Sequence, residues 1–356
     1  MIRTALTELL GIRYPVVQAA MGYVSGPRLA AATSDAGGLG LIASATMSLA
    51  ELEKAIEETA GRTAGPFGVN LRADAPDAAE RVRLIVARRV PVASFAQAPR
   101  PELIAALKDA GVVTIASIGA RRHAEKAAGW GIDAVIATGG EGGGHVGPVP
   151  TSLLIPQVVD AVDIPVIAAG GFFDGRGLAA ALAYGAAGVA MGTRFLLTAD
   201  SSVPDAVKQV YLDMAETVVT RQVDGLPHRV LRTGLIDALE TRGPMRRLAG
   251  AARNAARFRK LSGMSLRALV RDGLTMRRGK DLSWSQVLMA ANTPMLLKAA
   301  MVDGRPDLGV MASGQVVGVI GDLPTCAELI ERIMHQAVAA IGASHGLVRQ
   351  DVTGAR

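Results

Sequence analysis

Residues 111–140 read GVVTIASIGARRHAEKAAGWGIDAVIATGG, and they decide the fold. They hold a β-branched run (VVTIAS), an Ala-rich stretch of helix formers, a Gly129-Trp130-Gly131 stop and a second apolar run (DAVIA). A strand, a helix ended by glycine and another strand make one βα repeat. The rhythm extends in both directions. PVVQA from 15, LGLI from 39, FGVN from 67 and PVASF from 91 precede it, and PVIAA from 165 and AGVAM from 187 follow. Eight such strands before residue 195 predict a closed (β/α)8 TIM barrel of the α/β class. An open doubly wound sheet is the rival, but its GxGxxG signal is missing after PVVQA.

The composition agrees. Of 356 residues, half are hydrophobic but only 3% aromatic, and 41 are glycine, so the core must be built from small aliphatic side chains. That suits strands packed closely under helices rather than a β-sandwich. Apolar stretches such as 178–192 are broken by Tyr184, Gly185 and Gly188, which argues against a spanning helix. The single Cys326 forbids an internal disulfide, and the amino terminus lacks a basic segment followed by an apolar run. A cytoplasmic location is expected.

Three segments are expected: the barrel over 1–200, an accessory region that is mainly helical over 201–285, and carboxyl-terminal helices over 286–356 that pack back on the barrel. Thr325 is placed to cap a helix starting near Cys326. From Arg242 to Lys280 the accessory region carries twelve Lys or Arg against one acid, Asp272, while the whole chain has a net charge of +6. Only Phe258 and Trp284 are aromatic near this basic stretch, too few to stack nucleobases, so nucleic acid is not expected.

The loop GGEGGGHVGP, Gly139 to Pro148, follows the DAVIAT strand and Thr138, at the barrel face where such enzymes keep their chemistry. Its glycines let a ligand approach bare backbone amides. His145 stands among them as a candidate general base, with Glu141 to orient it. The bland alternative is a histidine bonded to a neighbouring carbonyl. With five His and one Cys in the chain, no metal site is expected. Gly170-Gly171 after the seventh strand and Gly192-Thr193 after the eighth resemble a phosphate cup, or else ordinary turn glycines. Ala20, Met21 and Gly22 after the first strand, with Asn70 at the end of the third, suit a flat isoalloxazine ring.

Taken together, PVVQAAMG, AGGLG (Ala36 to Gly40), FGVNL, EGGGHVG, PVIAAGG, GVAMGTRF and SGQVVG (Ser313 to Gly318) resemble the nitronate monooxygenase family, once called 2-nitropropane dioxygenases. They also resemble the flavin-dependent enoyl-acyl-carrier-protein reductases. The likeness covers roughly residues 5–200 and 286–335. It implies bound FMN, with the ring near Met21, Asn70, Gly143 and Gly144, the phosphate at Gly170, Gly171, Gly192 and Thr193, and Gln315 approaching from the carboxyl-terminal part. It also implies that His145 stands where nitronate-oxidising members carry their base.

One branch is more similar. FFDGRGLAAAL, HRVLRTGLI, RDGLTMRRGK and WSQVLMAANTPMLLKA resemble flavin acyl-CoA dehydrogenases of bacterial steroid ring degradation, which act on a hydroxylated hydrindanone carboxyl-CoA thioester. The phosphates of CoA would suit Arg246, Arg247, Arg253, Arg257, Arg259 and Lys260, although a basic run is also read as a solvated face. NAD is then a candidate electron acceptor, and a homo-oligomer is compatible with all of this. Two other readings stay open: a nitronate monooxygenase using oxygen, and a flavin-free barrel that binds a phosphorylated metabolite as a lyase, an isomerase or a binding protein.

Overall fold

The computed structural model describes residues 2–96, 99–241 and 284–347, without side chains over 284–292. The chain packs as two compact units. The first contains the described residues of Met1–Glu141, Gly147–Ser202 and Asp322–Arg356, and the second those of Gly142–Val146 and Val203–Gly321.

The first unit is the expected barrel. Its strands are β1 (Val16–Gln18), β2 (Gly40–Ala43), β3 (Phe67–Leu71), β4 (Val92–Phe95), β5 (Val113–Ile118) and β6 (Ala134–Thr138). After β7 (Gly144–His145), which belongs elsewhere, come β8 (Val166–Ala169) and β9 (Gly188–Met191). The eight pair in parallel in the order β1-β9-β8-β6-β5-β4-β3-β2. A parallel bridge from Val17 to Leu39 closes the ring.

Strands buried on both sides read as continuous apolar runs, so periodicity did not mark their inner face, whereas the glycine stops between them marked their boundaries. The interior holds Val17, Leu41, Val92, Ile115, Ile136 and Ile167 together with Leu6 and Leu10 of the helix Ala5–Leu10. A Cβ on Gly188, the first residue of β9, would lie 2.7 Å from Leu6 Cδ2. That helix therefore plugs the amino end of the strands.

The outer helices follow local rules. Ser48 and Glu51 form a capping box for Leu49–Arg62, which buries Leu52, Ala55, Ile56 and Thr59 at helical spacing. Thr325 and Glu328 do the same for Cys326–Gly346, as the sequence suggested for Thr325. This last helix packs on the helix Gly175–Ala183: a Cβ on Gly175 would lie 2.2 Å from the Ile333 carbonyl oxygen, and the Gly175 N–H donates to Gln336 Oε1 at 3.0 Å.

The second unit includes the helices Asp205–Asp213 and Gly234–Thr241 and the strands β10 (Thr217–Thr220) and β11 (His228–Leu231), paired antiparallel, with β7 on the far side of β11. Four-residue strands offer too short a stretch to show alternation, and β11 also pairs with β7 from a distant loop. Val223, Val230, Ile236 and Val310 form the unit's core, with Leu296 and Leu297 of the helix Trp284–Met301 packed against it. The buried Tyr211 hydroxyl donates to the Ala312 carbonyl at 2.8 Å. Among the described residues no helix is long and apolar enough to cross a membrane.

Candidate active site

At the carboxyl end of β1 the chain turns on buried polar groups. Gln18, fully buried, donates from Nε2 to Ser25 Oγ at 2.8 Å and to the Ala19 carbonyl, and Ser25 Oγ accepts from the Met21 N–H at 2.9 Å. These bonds fix the half-buried loop through Ala20, Met21 and Gly22. At the end of β3, buried Asn70 donates from Nδ2 to Ser94 Oγ on β4 at 2.7 Å, and its carbonyl accepts from Ser44 Oγ at the same distance. Ser94 was not foreseen. It is the cross-strand neighbour of Asn70, a relation visible only once the register is known.

β6 ends at half-buried Thr138, and β8 ends before Gly170 and Gly171, whose φ angles of 89° and 85° are ones that other residues rarely adopt. A Cβ on Gly171 would lie 3.5 Å from Glu141 Cβ, and one on Gly192 would lie 3.5 Å from Met21 Sδ. Thr193 is buried and opens the short helix Thr193–Leu196. The barrel unit thus brings Gly171 beside Glu141, and Gly192 beside Met21, at the carboxyl ends of β6, β8, β9 and β1.

Glu141 makes its hydrogen bonds within the barrel unit. Its Oε2 accepts from the Thr151 N–H at 2.9 Å and from Thr151 Oγ1 at 2.7 Å, and Thr151 Oγ1 also reaches the Gly170 carbonyl at 2.9 Å. Through Thr151, at the start of the helix Thr151–Val159, the carboxylate is linked to the loop after β8.

The loop glycines Gly143 and Gly144 lie in the second unit with His145. A Cβ on Gly143 would lie 2.6 Å from the Ser313 carbonyl carbon and 2.7 Å from Gly314 N. Gly144 has φ 75° and pairs with Arg229 on β11. Gln315 is exposed at the start of the 3-10 helix Gln315–Val319.

His145, exposed at the tip of β7, pairs in register with buried His228. Its Nε2 lies 2.5 Å from Asp224 Oδ2, and its ring centroid is 4.7 Å from that of His228. His228 Nδ1 lies 3.7 Å from the same Asp224 oxygen, too long for a hydrogen bond. Burial alone would raise the Asp224 carboxyl, but the hydrogen bond from His145, with His228 adjacent, holds it well below the usual carboxylate range. The three side chains bring potential ligand atoms within 4.8 Å of one another. Two donors on one zinc-sized ion stand about 3.3 Å apart, so the 2.5 Å approach is that of a hydrogen-bonded dyad. Neither Asp224 nor His228 was singled out from sequence. Arg246, Arg247, Arg253, Arg257, Arg259 and Lys260, expected at the CoA phosphates, lie outside the described residues.

Comparison with known proteins agrees with this architecture. The structure of FabK from Thermotoga maritima superposes with a TM-score of 0.82 at 33% identity, covering 98% of this chain and all of that one. A protein of Rhodococcus jostii is 62% identical over 344 residues, 96% of this chain and 98% of its own. It is named (3aS,4S,5R,7aS)-5-hydroxy-7a-methyl-1-oxo-octahydro-1H-indene-4-carboxyl-CoA dehydrogenase. A Mycobacterium tuberculosis protein of the same name is 62% identical over 352 residues, 98% of this chain and 99% of its own. The nitronate monooxygenase family model matches residues 3–82 and 77–336. The chain belongs to the nitronate monooxygenase family.

Proposed function

We propose that this chain is a flavin-dependent acyl-CoA dehydrogenase that forms an α,β double bond in a hydroxylated hydrindanone carboxyl-CoA thioester. The observation that carries this reading is the 62% identity, end to end, with two relatives named for that reaction. As a member of this family the chain is an oxidoreductase.

FMN is the flavin we assign. Support comes from the barrel unit, where paired left-handed glycines at Gly170 and Gly171 and the side-chain-free Gly192 before Thr193 leave backbone amides bare for a phosphate. Met21, Gly22, Asn70 and Thr138 would border the ring, while Gly143, Gly144 and Gln315 enter this reading from the family resemblance alone. When bound, the flavin supplies a two-electron acceptor for hydride leaving the β-carbon. The α-proton is acidified by the thioester carbonyl, and His145 is the group that takes it. The side chain is exposed and already hydrogen-bonded through one ring nitrogen, which leaves the other for the proton. Backbone amides around Gly143 would steady the developing enolate oxygen. The basic stretch from Arg242 to Lys280 holds more positive charge than the chain's net +6, which suits the phosphates of CoA.

The test is the absorbance spectrum of the purified protein under anaerobic conditions, before and after the saturated hydrindanone carboxyl-CoA ester is added. Bleaching of a flavin band by the ester but not by the free acid is expected, with recovery on adding NAD. A flavin that bleaches only with an alkyl nitronate would replace this reading with the oxygen-using one, and a colourless protein would remove the flavin. In a His145→Gln variant the flavin should persist while bleaching slows by roughly two to four orders of magnitude.

A further inference from the structure

We infer that Asp224 is a positioning residue that fixes the proton of His145 on Nε2 and thereby makes Nδ1 the basic atom; the inference rests on His145 being the base. His145 Nε2 and Asp224 Oδ2 are 2.5 Å apart, and Asp224 Oδ1 accepts from the Leu226 N–H at 3.0 Å, so both carboxylate oxygens are engaged. The Asp224 side chain is only 11% exposed, while that of His145 is 55% exposed. An ionised carboxylate can only accept. The nitrogen facing it must therefore carry hydrogen, and the lone pair of the neutral ring lies on Nδ1. No other hydrogen bond is formed by this ring among the described residues. The pairing is the reverse of the arrangement in serine proteases, where Nδ1 faces the aspartate and Nε2 is the base.

The backbone explains how two residues 79 positions apart meet. β7 carries His145 as the partner of His228, four residues beyond Asp224, and the Val146 N–H donates to the Pro227 carbonyl at 3.1 Å. Behind Asp224, the Thr293 hydroxyl donates to the Val223 carbonyl at 3.1 Å and holds that turn against the unit's core. The buried His228 ring, tilted 41° to His145, forms a wall beside the pair. As His145 takes the α-proton on Nδ1, the fixed anion stabilises the imidazolium and holds the ring at one angle.

The experiment uses the flavin-loaded, full-length protein with the hydrindanone carboxyl-CoA ester as probe, and compares Asp224→Asn, Asp224→Glu and His145→Gln. Asp224→Asn should lower kcat by roughly 10²- to 10⁴-fold, as an amide that offers N–H to Nε2 imposes the wrong tautomer. KM should change little, and Asp224→Glu should restore at least a tenfold share. Independently, nitrogen NMR of the histidine-labelled wild-type protein, with His145 assigned through the Gln variant, should show the Nε2-protonated neutral ring. An Nδ1-protonated ring, or an unchanged kcat in Asp224→Asn beside a slow His145→Gln, overturns the role of Asp224 and leaves the base standing. A His145→Gln enzyme at full speed overturns the base itself, while the tautomer still reports whether Asp224 sets the proton.

Discussion

Replacing Gly143 by alanine tests whether packing of the second unit sets the position of His145. The added Cβ would lie 2.6 Å from the Ser313 carbonyl carbon, where carbon contacts normally begin near about 3.5 Å. One side must retreat by about 1 Å, and the obstacle is backbone rather than a flexible side-chain end. Overpacking of this kind costs about 1–3 kcal/mol. Because Gly143 is two residues from His145, the same shift displaces the base, and a displacement of about 1 Å at a reacting group costs about 100-fold in rate. Urea unfolding should show the loss of stability, and stopped-flow bleaching with the acyl-CoA ester should show the loss of rate. A Gly143→Ala protein that unfolds like the wild type and turns over within threefold of it would refute the reasoning.

Two further outcomes follow from the barrel unit. Asp322 pairs with Arg194, which is 3% exposed, and with Arg332; burial opposes its ionisation, but these hydrogen bonds hold its carboxyl below the usual range. A depressed folded value means stabilisation that is complete above the unfolded pKa of about 3.9 and lost as pH falls through the folded value. Asp322→Asn should therefore flatten the acid limb of a stability-versus-pH curve, and an unchanged limb would discount the pair. The Cys326 thiol is buried and pushed up to about 12 by that burial, so at pH 8 a disulfide reagent should label it only as fast as the barrel opens. Labelling at the rate of a free thiol would contradict its burial.

The eight strands, the glycine loops after them and the Thr325 cap were legible because their signals are local: short apolar runs, glycine stops and a capping residue before a helix. His145 drew attention as the lone histidine in a glycine loop after a strand. Its partner did not. Glu141 is nearer in the chain, with its Oε2 bonded to Thr151, whereas Asp224 reaches His145 through the pairing of β7 with β11. Ser94 beside Asn70 was hidden in the same way by strand register. The repeating frame and the position of the loops at its carboxyl end follow from local signals, since each repeat forms from neighbouring residues. Which polar groups meet is set by the folded chain, because hydrogen bonds between loops follow from how distant strands pair, as β7 with β11 and β3 with β4.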